Sequence, residues 1–584
     1  MKLSDYVIDF ISGQGVDHVF EFVGGAITHL IDSVYHRDDI DCVSVHHEQS
    51  AAFAAEAYAR LRGLGVAMAT SGPGALNMLT GIGSCWFDSV PCLFITGQVN
   101  TYEYKFDRPV RQIGFQETDI VSVSRPITKS SVLVTDPAMI RYHLERAVSV
   151  ARSGRPGPVL LDIPMNVQRA EIDPASLTGF YDSAEQEESL DVVVLRKVIQ
   201  ALEQATRPLI LVGGGVRSAG AVAGFRKLVE NTGIPVVCSL MGLDAISHDC
   251  SEFTGMIGSY GNRYSNLTLA NCDCLLVLGS RLDSRQTGTK PNTFARGAIK
   301  IHVDVDEHEL NAKVEVDYAI KSDLRVFLQY LNQELPATPS IDIKLWYEII
   351  ANYKKKYPTV GEDAGAHTVN PNHFMQELSK KFIDGDTITL DVGQNQMWAA
   401  QSLHLKTEQR LLVSGGMGAM GFSLPAALGA AMALPGSRVI SISGDGGIQV
   451  NIQELEVIAF HRIPVKIIVL NNRCLGMVRQ FQDQYFGGRR QSTVIGYSCP
   501  DLKRVAEAYG LPVFAIHRTD EISQVLDEAL RVDGPAFIHV VLDLNTGVSP
   551  KLVVNCPIED MSPQLDRAEL ASNMLINLLS EGER

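Results

Sequence analysis

Among the ten cysteines of this 584-residue chain there is no CxxC pair, and the closest two, Cys272 and Cys274, lack metal-ligand spacing. Scattered thiols of this kind read as reduced and buried, part of neither a zinc site nor a disulfide framework. Basic runs are absent too, and the formal net charge is −16. That excludes the electrostatic footprint of a nucleic-acid binder and gives no surface for anionic membrane. Long hydrophobic runs are also missing. "CLLVLG" from Cys274 and "PVKIIVL" from Pro464 are strand-sized, far short of the roughly 20 residues that a helical bilayer span needs. The opening "MKLSDYVIDF" has neither the basic start nor the apolar core of a signal peptide, so a cytoplasmic protein is expected.

What remains is the composition of a globular enzyme, 45% apolar and 20% charged, on a chain long enough for about three domains. Short β-rich runs alternate with helix-length segments, which predicts an α/β protein whose mainly parallel sheets carry helices on both faces. Strands are expected at Cys42–Val45, Val66–Thr70, Cys92–Thr96 and Val159–Ile163. The acidic stretch 172–191 and the Pro-rich "LPATPSID" from Leu335 read as linkers. The expected domains are residues 1–170, 190–335 and 365–545, followed by a tail, 546–584.

One stretch carries the chemistry. In "VISISGDGGIQVNIQELEVIA" a buried strand over Val439–Ser443 runs into Gly444-Asp445-Gly446-Gly447, and a helix is expected from about Asn451. A buried, unpaired carboxylate is costly, so Asp445 needs solvent or a positive partner. After Gly446 come 24 residues and then Asn471-Asn472, which a helix and a neighbouring strand would bring to the same sheet end. An Asp carboxylate, an Asn amide oxygen and a backbone carbonyl are hard donors that suit Mg²⁺, with water and phosphate completing the shell. Gly446 and Gly447 would let the backbone approach a diphosphate. A lone GDG is usually only a turn; GDG with NN at this interval is far more specific.

This pair resembles the metal and diphosphate motif of thiamine diphosphate-dependent enzymes. The family also needs a glutamate beside the cofactor's aminopyrimidine, and Glu48, just after the Cys42–Val45 strand, matches it. The resemblance implies N-terminal pyrimidine-binding, central and diphosphate-binding domains, with sites assembled across a homodimer or homotetramer interface. It is closest to the large catalytic subunit of acetohydroxyacid (acetolactate) synthase, through "GFQETDIVSVSRPITK", "GRPGPVLLDIP", "DVGQNQMWAAQ", "SGGMGAMGFSLPAALGAA" and "VKIIVLNNRCLGMVRQFQD". Carried over, it implies that Gly393, Gln394, Asn395, Gly446, Gly447, Gly476 and Met477 hold the diphosphate. Asn395 stands where the family usually has histidine. Asp445, Asn472 and the backbone oxygen of Cys474 would bind Mg²⁺. Met420 would wedge between the cofactor's rings, and Gly418 would offer backbone contact to the aminopyrimidine. Phe115, Gln116 and Lys129 would reach the site from the partner's N-terminal domain.

The same resemblance implies FAD in the central domain, near Gly214, Gly215, Leu240, Met241, Gly258, Tyr260, Gly261, Arg281, Asp283, Arg285 and Asp304. Arg285 matches the arginine that contacts the acceptor's carboxylate, and Asp304 follows a strand, where a carboxylate meets a ribose hydroxyl. The glycines Gly213–Gly215 alone are a weak sign, equally a tight turn. Three departures border the acceptor side: a long Gln98–Glu117 segment, Ser284 with Tyr260 at changed positions, and Phe481 in place of a tryptophan. The implied activity is a decarboxylating carboligase in which pyruvate or a similar 2-keto acid gives a two-carbon unit to a carbonyl acceptor. With pyruvate as acceptor the product is acetolactate; a nucleotide-linked keto sugar is the alternative acceptor. A pyruvate oxidase-type redox activity and a non-catalytic binding role are the remaining readings, and a regulatory subunit is a further partner that the resemblance allows.

Overall fold

The strands that position the site are buried end to end, as parallel strands covered on both faces must be. The computed structural model describes residues 1–181, 191–335, 342–361 and 368–580. The acidic residues 182–190 and the Pro-rich 336–341, both expected to be linker, lie outside the described residues, as does the expected start of the third domain at 365.

Three six-stranded sheets follow one another. The first holds β1 (His18–Phe22), β2 (Asp41–Ser44), β3 (Gly65–Ala69), β4 (Cys92–Gln98), β5 (Ser130–Leu133) and β6 (Val159–Pro164), in the order β2-β1-β3-β4-β6-β5. The second holds β7 (Pro208–Val212), β8 (Val236–Cys238), β9 (Phe253–Met256), β10 (Cys274–Leu278), β11 (Ile299–Asp304) and β12 (Tyr318–Lys321), in the order β12-β11-β10-β7-β8-β9. The third holds β13 (Thr387–Leu390), β14 (Arg410–Val413), β15 (Val439–Gly444), β16 (Val465–Asn471), β17 (Val513–Ile516) and β18 (Ala536–Val541), in the order β14-β13-β15-β16-β18-β17. All pairings within these sheets are parallel. The first and third sheets share one order. The central sheet has the doubly wound order of dinucleotide-binding folds, with its switch point between β7 and β10.

The first and third blocks join through two helices of small residues, Glu48–Arg62 and Ser423–Ala433. A Cβ at Gly429 would lie 2.0 Å from the carbonyl oxygen of Ala54, so the two backbones meet where only glycine fits. Phe53 and Phe422 close the contact edge to face, centroids 5.4 Å apart.

One expectation needs correction. The helix after the glycine cluster begins at Glu454, not near Asn451; a short turn, Asp445–Ile448, follows β15 directly. The reason is tertiary: Asn451 turns its amide to the carbonyl of Gly421 at 2.8 Å. The tail returns to the central block. Its strands β19 (Lys551–Leu552) and β20 (Met561–Ser562) pair antiparallel, and Leu552 N–H donates to Ser259 of the central block at 2.7 Å. No helix among the described residues is long and apolar enough to cross a membrane.

Candidate functional site

The third sheet's switch point lies between β13 and β15, and the segments leaving those strands meet there. Asp445, directly after β15, is 1% exposed. Burial pushes its carboxyl up to about 6 against the pull of Tyr497, whose hydroxyl donates to Oδ2 at 2.6 Å. No lysine, arginine or histidine forms an ion pair with it among the described residues. Asn472, just past β16, gives its amide N–H to Gln394 Oε1 at 2.9 Å, which leaves its own amide oxygen as an acceptor. A Cβ at Gly476 would lie 1.9 Å from that same Gln394 oxygen, so a side chain at the start of the helix Gly476–Tyr485 would displace the Gln394 amide from Asn472. Asn395 donates to the carbonyl of Asp391 at 2.8 Å, and Met420, Leu475 and Tyr497 border Gly446. The Cys474 thiol turns to the carbonyl of Leu544, and Met477 packs on the adjoining core.

These residues fit a diphosphate and a hard cation. No cluster of three or more His, Cys, Asp or Glu capable of holding a metal occurs among the described residues. A metal here would therefore take one carboxylate, amide and carbonyl oxygens, and the ligand's phosphates, which is the Mg²⁺ pattern.

Two buried aspartates clamp the loop that carries Gly418 and Met420, and sequence reasoning assigned neither a role. Asp88 accepts from Gly415 N–H at 2.9 Å and Gly416 N–H at 2.7 Å, while Arg60 bridges it to Glu56. Asp391 accepts from Gly421 N–H at 3.0 Å and Ser423 N–H at 3.2 Å. Burial raises the Asp391 carboxyl to about 6 although three backbone N–H groups oppose the shift. Asp391 opens the quoted "DVGQNQMWAAQ", so its signal was present; Asp88 had none.

Glu48 begins its helix at the carboxyl end of the first sheet, 6% exposed, and accepts from Asn77 Nδ2 at 2.9 Å. His47 caps the same helix by accepting from Gln49 N–H. Gln116 lies nearby, its backbone against Gly72, in a left-handed conformation at φ 64° that a non-glycine residue rarely holds without reason. Its neighbour Phe115 is 85% exposed. Buried Glu117 pins the long Gln98–Glu117 segment by accepting from Lys105 and Ile113 N–H groups at 2.7 and 2.6 Å. Lys129 is not brought to this group. It precedes β5, at the opposite pole of the sheet, and donates to Ser153 O at 2.6 Å; burial lowers its ammonium to about 8. Glu48 lies against Asn77 and Gly74, neither of them part of the diphosphate cluster.

The central sheet's switch point opens into a cavity of about 940 Å³. Gly214, Gly215, Leu240, Tyr260, Arg285 and Asp304 line it, as do Met241 and Arg281, which abut the backbone at Gly415 and Gly416. Gly258 lies behind the wall against the Arg285 carbonyl, and Gly261 against Ile257. Both oxygens of Asp283 are spent on its own turn, accepting from Arg285 N–H and Gln286 Nε2. Asp304 accepts from Asp306 N–H, and burial raises its carboxyl. Position, size and an acidic residue ending β11 all fit a dinucleotide.

Comparison with known proteins agrees with this geometry. Residues 1–123 match the thiamine pyrophosphate enzyme N-terminal TPP binding domain, 195–331 its central domain and 391–540 its C-terminal TPP binding domain; thiamine pyrophosphate is thiamine diphosphate. The chain is 37% identical to the acetolactate synthase isozyme 2 large subunit of Escherichia coli K12, over 94% of this chain and 97% of that protein. It is 37% identical to a probable acetolactate synthase large subunit of Methanocaldococcus jannaschii, over 93% and 92%. With acetolactate synthase 2, chloroplastic, of Nicotiana tabacum it shares 35%, over 97% and 86%. The chain therefore belongs to the thiamine pyrophosphate enzymes, as a carbon–carbon bond-forming transferase of the acetolactate synthase large-subunit family.

Proposed function

We propose that the chain decarboxylates pyruvate or a similar 2-keto acid and joins the remaining two-carbon unit to a carbonyl acceptor. The observation that carries the reading is the meeting of Asp445, Asn472, Gln394 and Gly476 beside Met420 at one strand-end crevice. Thiamine diphosphate bound there supplies carbanion stabilisation, the chemistry that side chains cannot provide alone. The chain's residues do the rest. Asp445, Asn472 and the Cys474 carbonyl would hold Mg²⁺; Gly393, Gln394, Asn395, Gly446, Gly447, Gly476 and Met477 would seat the diphosphate. Met420 and Gly418 would orient the rings, and Glu48 would hold and return a proton at its carboxylate, from the partner's copy.

The central cavity would hold FAD, with Asp304 toward a ribose and Arg281 toward the loop at Gly416. The assembly is proposed as a homodimer or larger, since Glu48 and Asp445 each head an incomplete half-site. A regulatory subunit is proposed as a further partner, on the strength of relatives described as large subunits.

The test is a mass-resolved assay with thiamine diphosphate, Mg²⁺, FAD and isotopically labelled pyruvate. Release of CO₂ with label in acetolactate or another coupled product is expected. Flavin bleaching by pyruvate without a coupled product would replace the reading with an oxidase.

A further inference from the structure

The acceptor side of the site has charges that the reading above does not use. The helix Gly476–Tyr485 leaves the diphosphate cluster at Gly476 and Met477, and Phe481 and Tyr485 lie about 6 and 12 Å further along it. The tail is fastened to this helix: Gln480 Nε2 donates to Val548 O at 2.8 Å, and Val548 N–H donates to Gln480 Oε1 at 2.9 Å. Three residues on, Lys551 lays its ammonium against both rings, 5.6 Å from the Phe481 centroid and 5.7 Å from that of Tyr485. It gives one hydrogen bond, to Gln484 Oε1 at 2.9 Å.

Lys551 is 7% exposed, and no carboxylate pairs with it among the described residues. Such a desolvated cation is costly unless an anion comes to it, and burial lowers its pKa accordingly. Leu552 N–H bonds Ser259 O, and Ser259 N–H bonds Arg285 O, each at 2.7 Å, so the strand carrying Lys551 is tied to the turn carrying Arg285. The Arg285 side chain is exposed and forms no ion pair among the described residues. Tyr260 and Arg285 line the central cavity together. On a chain of net charge −16, two cations left without carboxylates among the described residues, on segments bonded to one another, are a feature to be explained.

We infer that Lys551 reads a second negative group on the acceptor, beyond the one that the resemblance gives to Arg285, so that the preferred acceptor is a ketone with an anionic group at each end of its reach. This rests on the carboligase reading and names its substrate class. Arg285 would take the group nearer the ketone, and Lys551, beside the outer turns of the helix, the more distant one. The coupling balances without an oxidant. CO₂ leaves the donor, the electron pair of the broken bond forms the new bond to the ketone carbon, and the ketone oxygen takes up a proton. The distant anion is a second carboxylate, since a nucleoside diphosphate-linked keto sugar has its charge in one group and none beside the ketone.

Labelled pyruvate and full cofactors are given to wild type, Lys551→Gln and Lys551→Arg, with 2-ketoglutarate, a nucleoside diphosphate-linked keto sugar, or pyruvate alone as acceptor. Circular dichroism confirms folding. Wild type prefers 2-ketoglutarate over pyruvate in kcat/KM, and Lys551→Gln lowers that preference about tenfold or more, while Lys551→Arg retains it. A preference for the keto sugar over both keto acids, which needs only one anion, overturns the inference. CO₂ release with no dianion preference in wild type, or a preference unchanged in Lys551→Gln, overturns the inference alone. No CO₂ release from wild type overturns the carboligase reading, and the inference with it.

Discussion

Asp162, inside β6, is fully buried, its carboxylate accepting from Thr96 Oγ1 at 2.7 Å and Gln98 Nε2 at 2.9 Å, and no cation pairs with it among the described residues. Burial pushes its carboxyl up to about 7 from an ordinary 3.8, more than the two hydrogen bonds pull it down. The folded protein therefore binds a proton that the unfolded chain has released between those values. The stability this contributes is fully present below about pH 4 and falls as pH rises toward 7, by about 1.4 kcal/mol for each pH unit inside the window. Asp162→Asn removes the ionisation and keeps an amide oxygen for Gln98. Calorimetry of the apoprotein from pH 4 to pH 8 should show the melting temperature of the variant declining less steeply than that of wild type. Parallel profiles would mean that Asp162 stays ionised in the fold. At this scale the sequence was legible where chemistry demands a residue type at a fixed interval, as with Asp445 and Asn472. It was silent on Lys551 and Tyr497, whose nearness to the site comes from chain segments far apart in sequence, and on Asp88, whose partners are backbone N–H groups that no side-chain pattern marks.

Among the elements, the strands were readable because buried parallel strands are short continuous apolar runs, and Cys92–Gln98 and Val159–Pro164 begin where expected. The helix start after Asp445 was misread because Asn451, a good cap by type, is turned toward Gly421, where its amide nitrogen donates to the carbonyl and its oxygen caps no backbone N–H. The pairing of Glu48–Arg62 with Ser423–Ala433 could not be read from either segment alone. Both are rich in alanine, with no sharp polar face, as expected of helices buried on most sides. The contact yields a prediction. Gly429→Ala sets a methyl 2.0 Å from the Ala54 carbonyl oxygen, a backbone atom that cannot swing aside. The helices must part, which should cost about 1–3 kcal/mol. A melting temperature lowered by several degrees in a thermal scan checks it. An unchanged value would show that the two helices can slide apart freely. Because Glu48 begins one of them and Asp391 holds the backbone at Ser423, the start of the other, some loss of cofactor affinity should accompany the shift.

For the whole molecule, three sheets of two orders divide the labour: the first and third share one winding, and the central sheet has the dinucleotide order. Alternating strands and helices made the three blocks visible in the sequence. The return of the tail to Ser259 and Asn271 was not visible, being a contact across some 300 residues. Each half-site also has an apolar surround. Phe22, Val23, Leu76 and Phe115 are exposed on the side of Glu48, and Met420, Val450, Val478 and Phe481 on the side of Asp445. Exposed apolar groups around both half-sites suit the proposed second copy, in which each chain would give its glutamate to the other's cofactor cluster. Such an arrangement has a consequence that a site within one chain lacks. Glu48→Gln and Asp445→Asn should each abolish carboligation, since one removes the proton carrier and the other the metal carboxylate. When the two variants are unfolded, mixed in equal amounts and refolded, half of the dimers are mixed, and each has one site with both native residues. Acetolactate formation should then return to roughly a quarter of the wild-type rate, the share of intact sites that random pairing of two-fold dimers gives. If the mixture stays as inactive as its components, Glu48 and Asp445 serve one site in one chain, and the apolar surrounds need another occupant.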